Sequence, residues 1–248
     1  MRRLLISLLL VAIPAIGNAV PALQLDCSPC EYVDGTEQSN ISTDTVFDVA
    51  AIATTGDETS GEGGRLDATD VNDGDIFILS IALVSDFGEF DVLSSLGTMS
   101  VEVGGVLTMY DWTDFQWGLP PFDATANPLL GSHDIYETWV LEIDFSFPSS
   151  TNCATYNTQT DDAFVVAGDT SYCETFTIDM SGLTEGVELH FDLYNEALRN
   201  GDTIRGVFAP FSHDVGTSVP EPGTLVLLGT GLLALALARR RRYLPSKI

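Results

Sequence analysis

The chain has 248 residues, 45% hydrophobic and 19% charged, with 36 acids against 10 bases. Aliphatic and aromatic residues are too frequent for a collagen-like, coiled-coil or disordered chain, and a net charge of −26 argues against nucleic acid, whose phosphates it would repel. Seven of the bases (Arg2, Arg3, Arg239, Arg240, Arg241, Arg242 and Lys247) sit at the two ends, so residues 20–222 hold three bases, all 36 acids and a net charge of −33.

At the N-terminus, Arg2-Arg3 precedes an apolar run from Leu4 to Ile13, then Pro14 and small residues. This is the charged, apolar and cleavage order of a secretory signal. Gly17-Asn18-Ala19 supplies a small-x-small site, giving a signal peptide over 1–19; Val20-Pro21-Ala22 offers an alternative end at 22. A helix of ten apolar residues rises only about 15 Å, roughly half the hydrocarbon thickness, which disfavours a retained anchor. Asp26 before Cys27 spoils a lipobox.

The exported body, 20–218, is mostly of period two, with expected strands at Leu23–Asp26, Val46–Ala53, Ile76–Val84, Thr98–Val103, Val140–Phe147, Thr175–Met180, Val187–Leu193 and Thr203–Phe208. Ile76–Val84 is apolar on both faces and reads as a central strand. In Val187–Leu193, Leu189, Phe191 and Leu193 share one face and His190 and Asp192 the other. Turn residues separate the runs at Asp73-Gly74, Gly104-Gly105, Ser181-Gly182 and Asn200-Gly201. No long stretch has a helical period. The expected class is all-β, an antiparallel β-sandwich of jelly-roll type.

Four cysteines in an exported chain favour disulfides over metal. Of three connectivities, locality favours Cys27–Cys30 with Cys153–Cys173. The alternative for Cys27-Ser28-Pro29-Cys30 is a redox dithiol, but that needs a helix N-terminus to depress the first thiol's pKa, and here a strand precedes it. The acidic stretch 57–75 offers Asp70, Asn72, Asp73 and Asp75 as oxygen ligands for Ca²⁺. The EF-hand template fails there, because Gly74 at its glycine position puts Thr69 first and Val71 third; a solvated acidic loop is the plainer reading. No metal or cofactor is otherwise indicated.

Tyr110, Trp112, Phe115, Trp117 and Phe122 crowd one segment with Asp111, Asp114 and Gln116. Exposed rings beside acids and amides suit sugar binding, with Trp112 and Trp117 as the contacts; the plainer reading is that the rings fill the end of the sandwich. Catalysis has little support. Ser212-His213-Asp214 places triad residue types side by side, where they point apart, and acid pairs such as Asp161-Asp162 are expected by chance among 36 acids. No nucleophile elbow, His-Glu-x-x-His or phosphate loop is present.

At the C-terminus, Val219-Pro220-Glu221-Pro222 precedes an uncharged apolar segment, 223–238, then Arg239-Arg240-Arg241-Arg242 and a tail, 243–248. Sixteen residues rise about 24 Å as a helix, enough to cross if the arginines snorkel and the bilayer thins. The positive-inside rule leaves the arginines in the cytoplasm and the body outside, in agreement with the N-terminal signal. Residues 219–242 resemble the PEP-CTERM sorting signal: a Pro-Glu-Pro motif, a short transmembrane helix and an arginine cluster. The resemblance implies processing by an exosortase, an integral-membrane cysteine transpeptidase-like enzyme, in a Gram-negative bacterium that makes extracellular polysaccharide. The body resembles the choice-of-anchor N family at Leu23-Gln24-Leu25-Asp26, Tyr156-Asn157-Thr158-Gln159, His190-Phe191-Asp192-Leu193-Tyr194 and Ala209-Pro210-Phe211-Ser212-His213-Asp214, departing from it at Cys27-Ser28-Pro29-Cys30. That family implies export with interchangeable anchors and no assigned activity.

The expectation is therefore a non-enzymatic exported protein. It is held briefly at the inner membrane, meets signal peptidase and an exosortase, and ends at the cell surface or in the extracellular matrix, near extracellular polysaccharide. The alternative is a carbohydrate-binding or glycan-active surface protein.

Overall fold

The computed structural model describes residues 22–33, 39–55, 66, 71, 75–84, 96–118, 138–148, 153, 158, 170–184, 186–200, 206–209 and 215–217. The described strands are β1 (Leu23–Ser28), β2 (Glu31–Val33), β3 (Ser39–Ser42), β4 (Val46–Thr55), β5 (Phe77–Val84), β6 (Thr98–Val103), β7 (Val106–Asp111), β8 (Gln116–Gly118), β9 (Thr138–Phe145), β10 (Thr170–Asp179), β11 (Glu188–Asn195) and β12 (Val215–Thr217). One short helix, α1 (Glu196–Arg199), is described. The strands form a five-stranded sheet, β1-β4-β10-β6-β7, and a seven-stranded sheet, β2-β3-β12-β11-β5-β9-β8.

Alternation decides which side chains meet between the sheets. Leu23 and Leu25, Phe47 and Val49, Met99 and Val101, and Phe176 and Ile178 come from the first sheet; Phe77, Leu79, Ile81, Leu189, Phe191 and Leu193 come from the second. Aromatic edges join the layers: Phe47 meets Phe191 at 5.9 Å and Phe145 meets Phe176 at 5.0 Å, both edge to face. Phe47, Phe191 and Phe176, buried, each contribute about 1.5–3 kcal/mol of apolar transfer, and the partly buried Phe145 contributes less. A second small core lies on the outer side of the seven-stranded sheet, where Ile78, Tyr194, Leu198 and Phe208 pack together.

The expected alternation of Leu189, Phe191 and Leu193 places all three in the core, and β5 lies between β11 and β9 and is buried almost throughout. β6 spans the expected residues. Glycines 104 and 105 take φ of 57° and 79°, the paired left-handed conformation that a two-residue hairpin needs, and join β6 to β7 with Val103 opposite Val106. The Asp73-Gly74 turn lies outside the described residues.

Two expectations change. The pairing is not wholly antiparallel, because β12 runs parallel to β3 while antiparallel to β11. The chain turns back beside β11 through 206–209, which fixes the direction of β12; β3, from the other end of the body, meets it in the same sense. The strand expected at Thr203–Phe208 reduces, among the described residues, to an isolated bridge of Phe208 with Tyr194. Residues 203–205 lie outside them.

Candidate functional site

The folded body runs to the threshold of the Pro-Glu-Pro motif. β12 lies between β3 and β11, and all three of its residues are buried. Val215 pairs with Phe191 on one side and Asn40 on the other, and the Leu189 amide donates to Thr217 Oγ1 at 2.7 Å. Pro220 follows Thr217 by three positions, a span of at most about 11 Å when extended. Val219, Pro220, Glu221, Pro222, the apolar segment 223–238 and Arg239–Arg242 lie outside the described residues, as do residues 1–19, the expected signal. Among the described residues no helix is long and apolar enough to cross a membrane.

The cysteines pair as locality favours, Cys27 with Cys30 (Cα–Cα 5.5 Å) and Cys153 with Cys173 (5.9 Å). The first pair ties β1 to the residue before β2, and Cys27 is the fifth residue of a strand, its amide bound by Asp26 Oδ1 at 2.8 Å. Among the described residues no helix N-terminus adjoins it to stabilise a thiolate. The second pair ties residue 153 to the middle of β10.

The aromatic segment divides between core and surface. Phe115 is buried and Tyr110 packs against the core, whereas Trp112 and Trp117 are 41% and 42% exposed. Trp117 stands on β8 opposite Trp139, their rings 5.4 Å apart edge to face. Asp111 and Asp114 build the turn between β7 and β8: Asp111 Oδ1 accepts from the Thr113 amide (2.8 Å) and hydroxyl (2.6 Å), and Asp114 Oδ2 accepts from the Asp111 amide at 2.8 Å. The Thr113 bonds hold the Asp111 carboxyl below the usual carboxylate range. Phe122 lies outside the described residues.

Sequence reading missed the polar cluster on the outer face of the seven-stranded sheet. Tyr194, fully buried on β11, donates to Glu142 Oε1 on β9 at 2.6 Å. Burial, and then the Glu142 charge, push its phenol far above the ordinary value. Arg199 at the end of α1 grips Asp144 (Nη1 to Oδ1, 2.6 Å) and lies 3.6 Å from Glu142 and 3.5 Å from Glu196. The Asp144 bond is the main cause that raises its guanidinium pKa above the ordinary value. The only available signal was that Arg199 is one of three bases in so acidic a body. Nearby, His190 Nε2 lies 3.3 Å from Asp192 Oδ1. The arrangement ties α1 to β9, with the Ser80 hydroxyl of β5 beside the Tyr194 phenol.

Of the calcium candidates, Asp75 is exposed and its carbonyl accepts from Ser146 Oγ at 3.1 Å. Asp70, Asn72 and Asp73 lie outside the described residues, and so do Asp161-Asp162 and Ser212-His213-Asp214. Among the described residues no group of three His, Cys, Asp or Glu side chains is placed to hold a metal ion.

The PEP-CTERM protein-sorting motif matches residues 218–242. No curated protein and no solved structure matches the chain. The match begins one residue after β12 ends. The motif implies export and exosortase sorting to the surface or exterior of a Gram-negative cell.

Proposed function

We propose that this chain is a non-enzymatic cargo protein. Its signal, residues 1–19, takes it across the inner membrane, and its apolar segment, 223–238, holds it there with Arg239–Arg242 inside. An exosortase then cuts near Pro220-Glu221-Pro222 and frees the sandwich to the cell surface or matrix. The observation that carries this reading is the sorting motif abutting the last strand of the body. Two prolines fix φ and oppose a helical start, leaving an extended strip between body and bilayer. Replacing Pro220-Glu221-Pro222 with alanines should leave the body in the membrane fraction; unchanged release overturns the proposal.

A second reading rests on the exposure of Trp112 and Trp117: the β7–β8 segment stacks on sugar rings of a surface polysaccharide. Glycan-array binding that falls on Trp112→Ala or Trp117→Ala supports it, and no binding removes it.

A further inference from the structure

Sheet edges are ready-made templates for another strand, and most proteins blunt them with brevity, charge, proline or cover. Three of the four edges here conform. β2 and β8 have three residues each, β2 carries Glu31, and β1 is buried along its first three residues. β7 does not. It runs six residues, Val-Leu-Thr-Met-Tyr-Asp, with no proline or lysine, and pairs only with β6 among the described residues. Val106, Leu107 and Met109 are 64%, 61% and 61% exposed, the three highest values among the exposed large hydrophobic residues.

The hairpin geometry fixes which backbone groups face outward. In a two-residue hairpin the closing pair, Val106 with Val103, exchanges hydrogen bonds. Residues 106, 108 and 110 therefore turn their amides and carbonyls toward β6, while 107 and 109 turn theirs to the open side; those of Asp111 are taken up within its own turn by the Asp114 carboxylate and amide. A second β7 laid antiparallel about a two-fold axis through Thr108 uses those free groups. It sets Leu107 opposite Met109 as a hydrogen-bonded pair, Val106 opposite Tyr110, and Thr108 opposite itself. Side chains opposite each other share a face of the sheet, so every apolar residue meets an apolar one.

The same register manages the charge of the body. Asp111 falls opposite Gly105 of the copy, so the two Asp111 residues lie six positions apart, about 20 Å. The two Glu102 residues, opposite Leu107 on β6, lie about three strand spacings apart, roughly 14 Å or more. Both separations exceed the screening length of about 8 Å at physiological salt.

We propose that β7 is a self-association edge, at which two copies of this chain join their five-stranded sheets into one of ten strands about an axis at Thr108. The inference stands on the edge alone and is independent of the sorting reading.

The test uses the full chain in detergent, with oxidation of single-cysteine variants; the described native cysteines are all paired, so the new thiol reports on the edge. Thr108→Cys should give a disulfide-linked dimer, because the opposed pair is of the close, non-hydrogen-bonded kind, about 4.5 Å between Cα atoms. Leu107→Cys should not, since its counterpart lies two positions along, roughly 8 Å away and beyond disulfide reach. Adding Met109→Lys, at an exposed site the fold tolerates, should reduce the Thr108→Cys dimer about tenfold, the equivalent of 1.4 kcal/mol. Sedimentation of the parent should show the dimer fraction rising as salt is raised from about 0.05 to 1 M, because screening relieves the repulsion of the bodies. Equal cross-linking at both positions, no effect of Met109→Lys, or a monomer throughout the salt series overturns the proposal.

Discussion

Single side chains hold this fold where ladders end. Asn195 Oδ1 accepts from the Leu198 amide at 3.1 Å, capping α1, and from the Val207 amide at 2.9 Å, fastening the returning chain to β11. Both amides belong to buried residues, so Asn195→Ala strands two donors and should cost about 2–4 kcal/mol in urea unfolding. A loss below about 0.5 kcal/mol would mean the cap contributes nothing. Glu174 carries the opposite kind of information. Alternation turns it inward between Tyr172 and Phe176, and burial raises its carboxyl pKa, partly offset by the Thr175 amide. The native state thus holds that proton more tightly than the unfolded chain, and stability falls as pH rises from the ordinary carboxylate value through the raised one. Glu174→Gln should therefore gain stability relative to the parent at neutral pH and lose that advantage in acid. Equal differences at both pH values would refute it. Asp179 and Asp111 act in the other sense. Ser181 and Thr113 hold their carboxyls low, so what they contribute is present above the ordinary value and lost as pH falls through the lowered one.

Between elements, close backbone approach decides what is tolerated. Gly97 has φ of 87°, and a Cβ there would overlap the carbonyl oxygen of Gly182, whose residue closes the turn between β10 and β11. Gly105 has a similar φ of 79° with nothing within 4 Å. Gly105→Ala should cost only the left-handed penalty, about 1–2 kcal/mol, and Gly97→Ala that penalty plus about 1–3 kcal/mol of overlap. Equal melting temperatures for the two would contradict the contact. The elements legible in the sequence were those whose pattern is local: the continuous apolar run of β5, the alternation of β11, the glycine pair between β6 and β7, and cysteines close enough in sequence to suggest partners. β2, β8 and β12 are too short, at three residues, to show a period. The Tyr194–Glu142–Arg199 cluster was hidden for another reason: Glu142 lies more than fifty residues from Tyr194 and Arg199 and meets them only through the β11–β5–β9 register. The sorting motif was legible because charge, apolarity and proline lie consecutively in the chain, so no folding is needed to assemble them.

At the scale of the molecule, the seven-stranded sheet depends on its last-made part. A chain ending after Thr217 should unfold cooperatively, while one ending after residue 214 leaves β3 and β11 without the strand between them. Circular dichroism melting should then show a lowered or broadened transition, and identical melts would mean β12 is dispensable. Asn40 and Val215, neighbours in the sheet, stand 175 positions apart in the sequence. A polypeptide threaded outward N-terminus first therefore travels almost its whole length with an open seam. Under the sorting proposed above, the seam would zip shut only when residues 223–238 have already entered the pore behind it. On that proposal maturation and arrest would fall at the same moment, and a protein cut loose too early would leave with two raw borders for neighbouring chains to stick to.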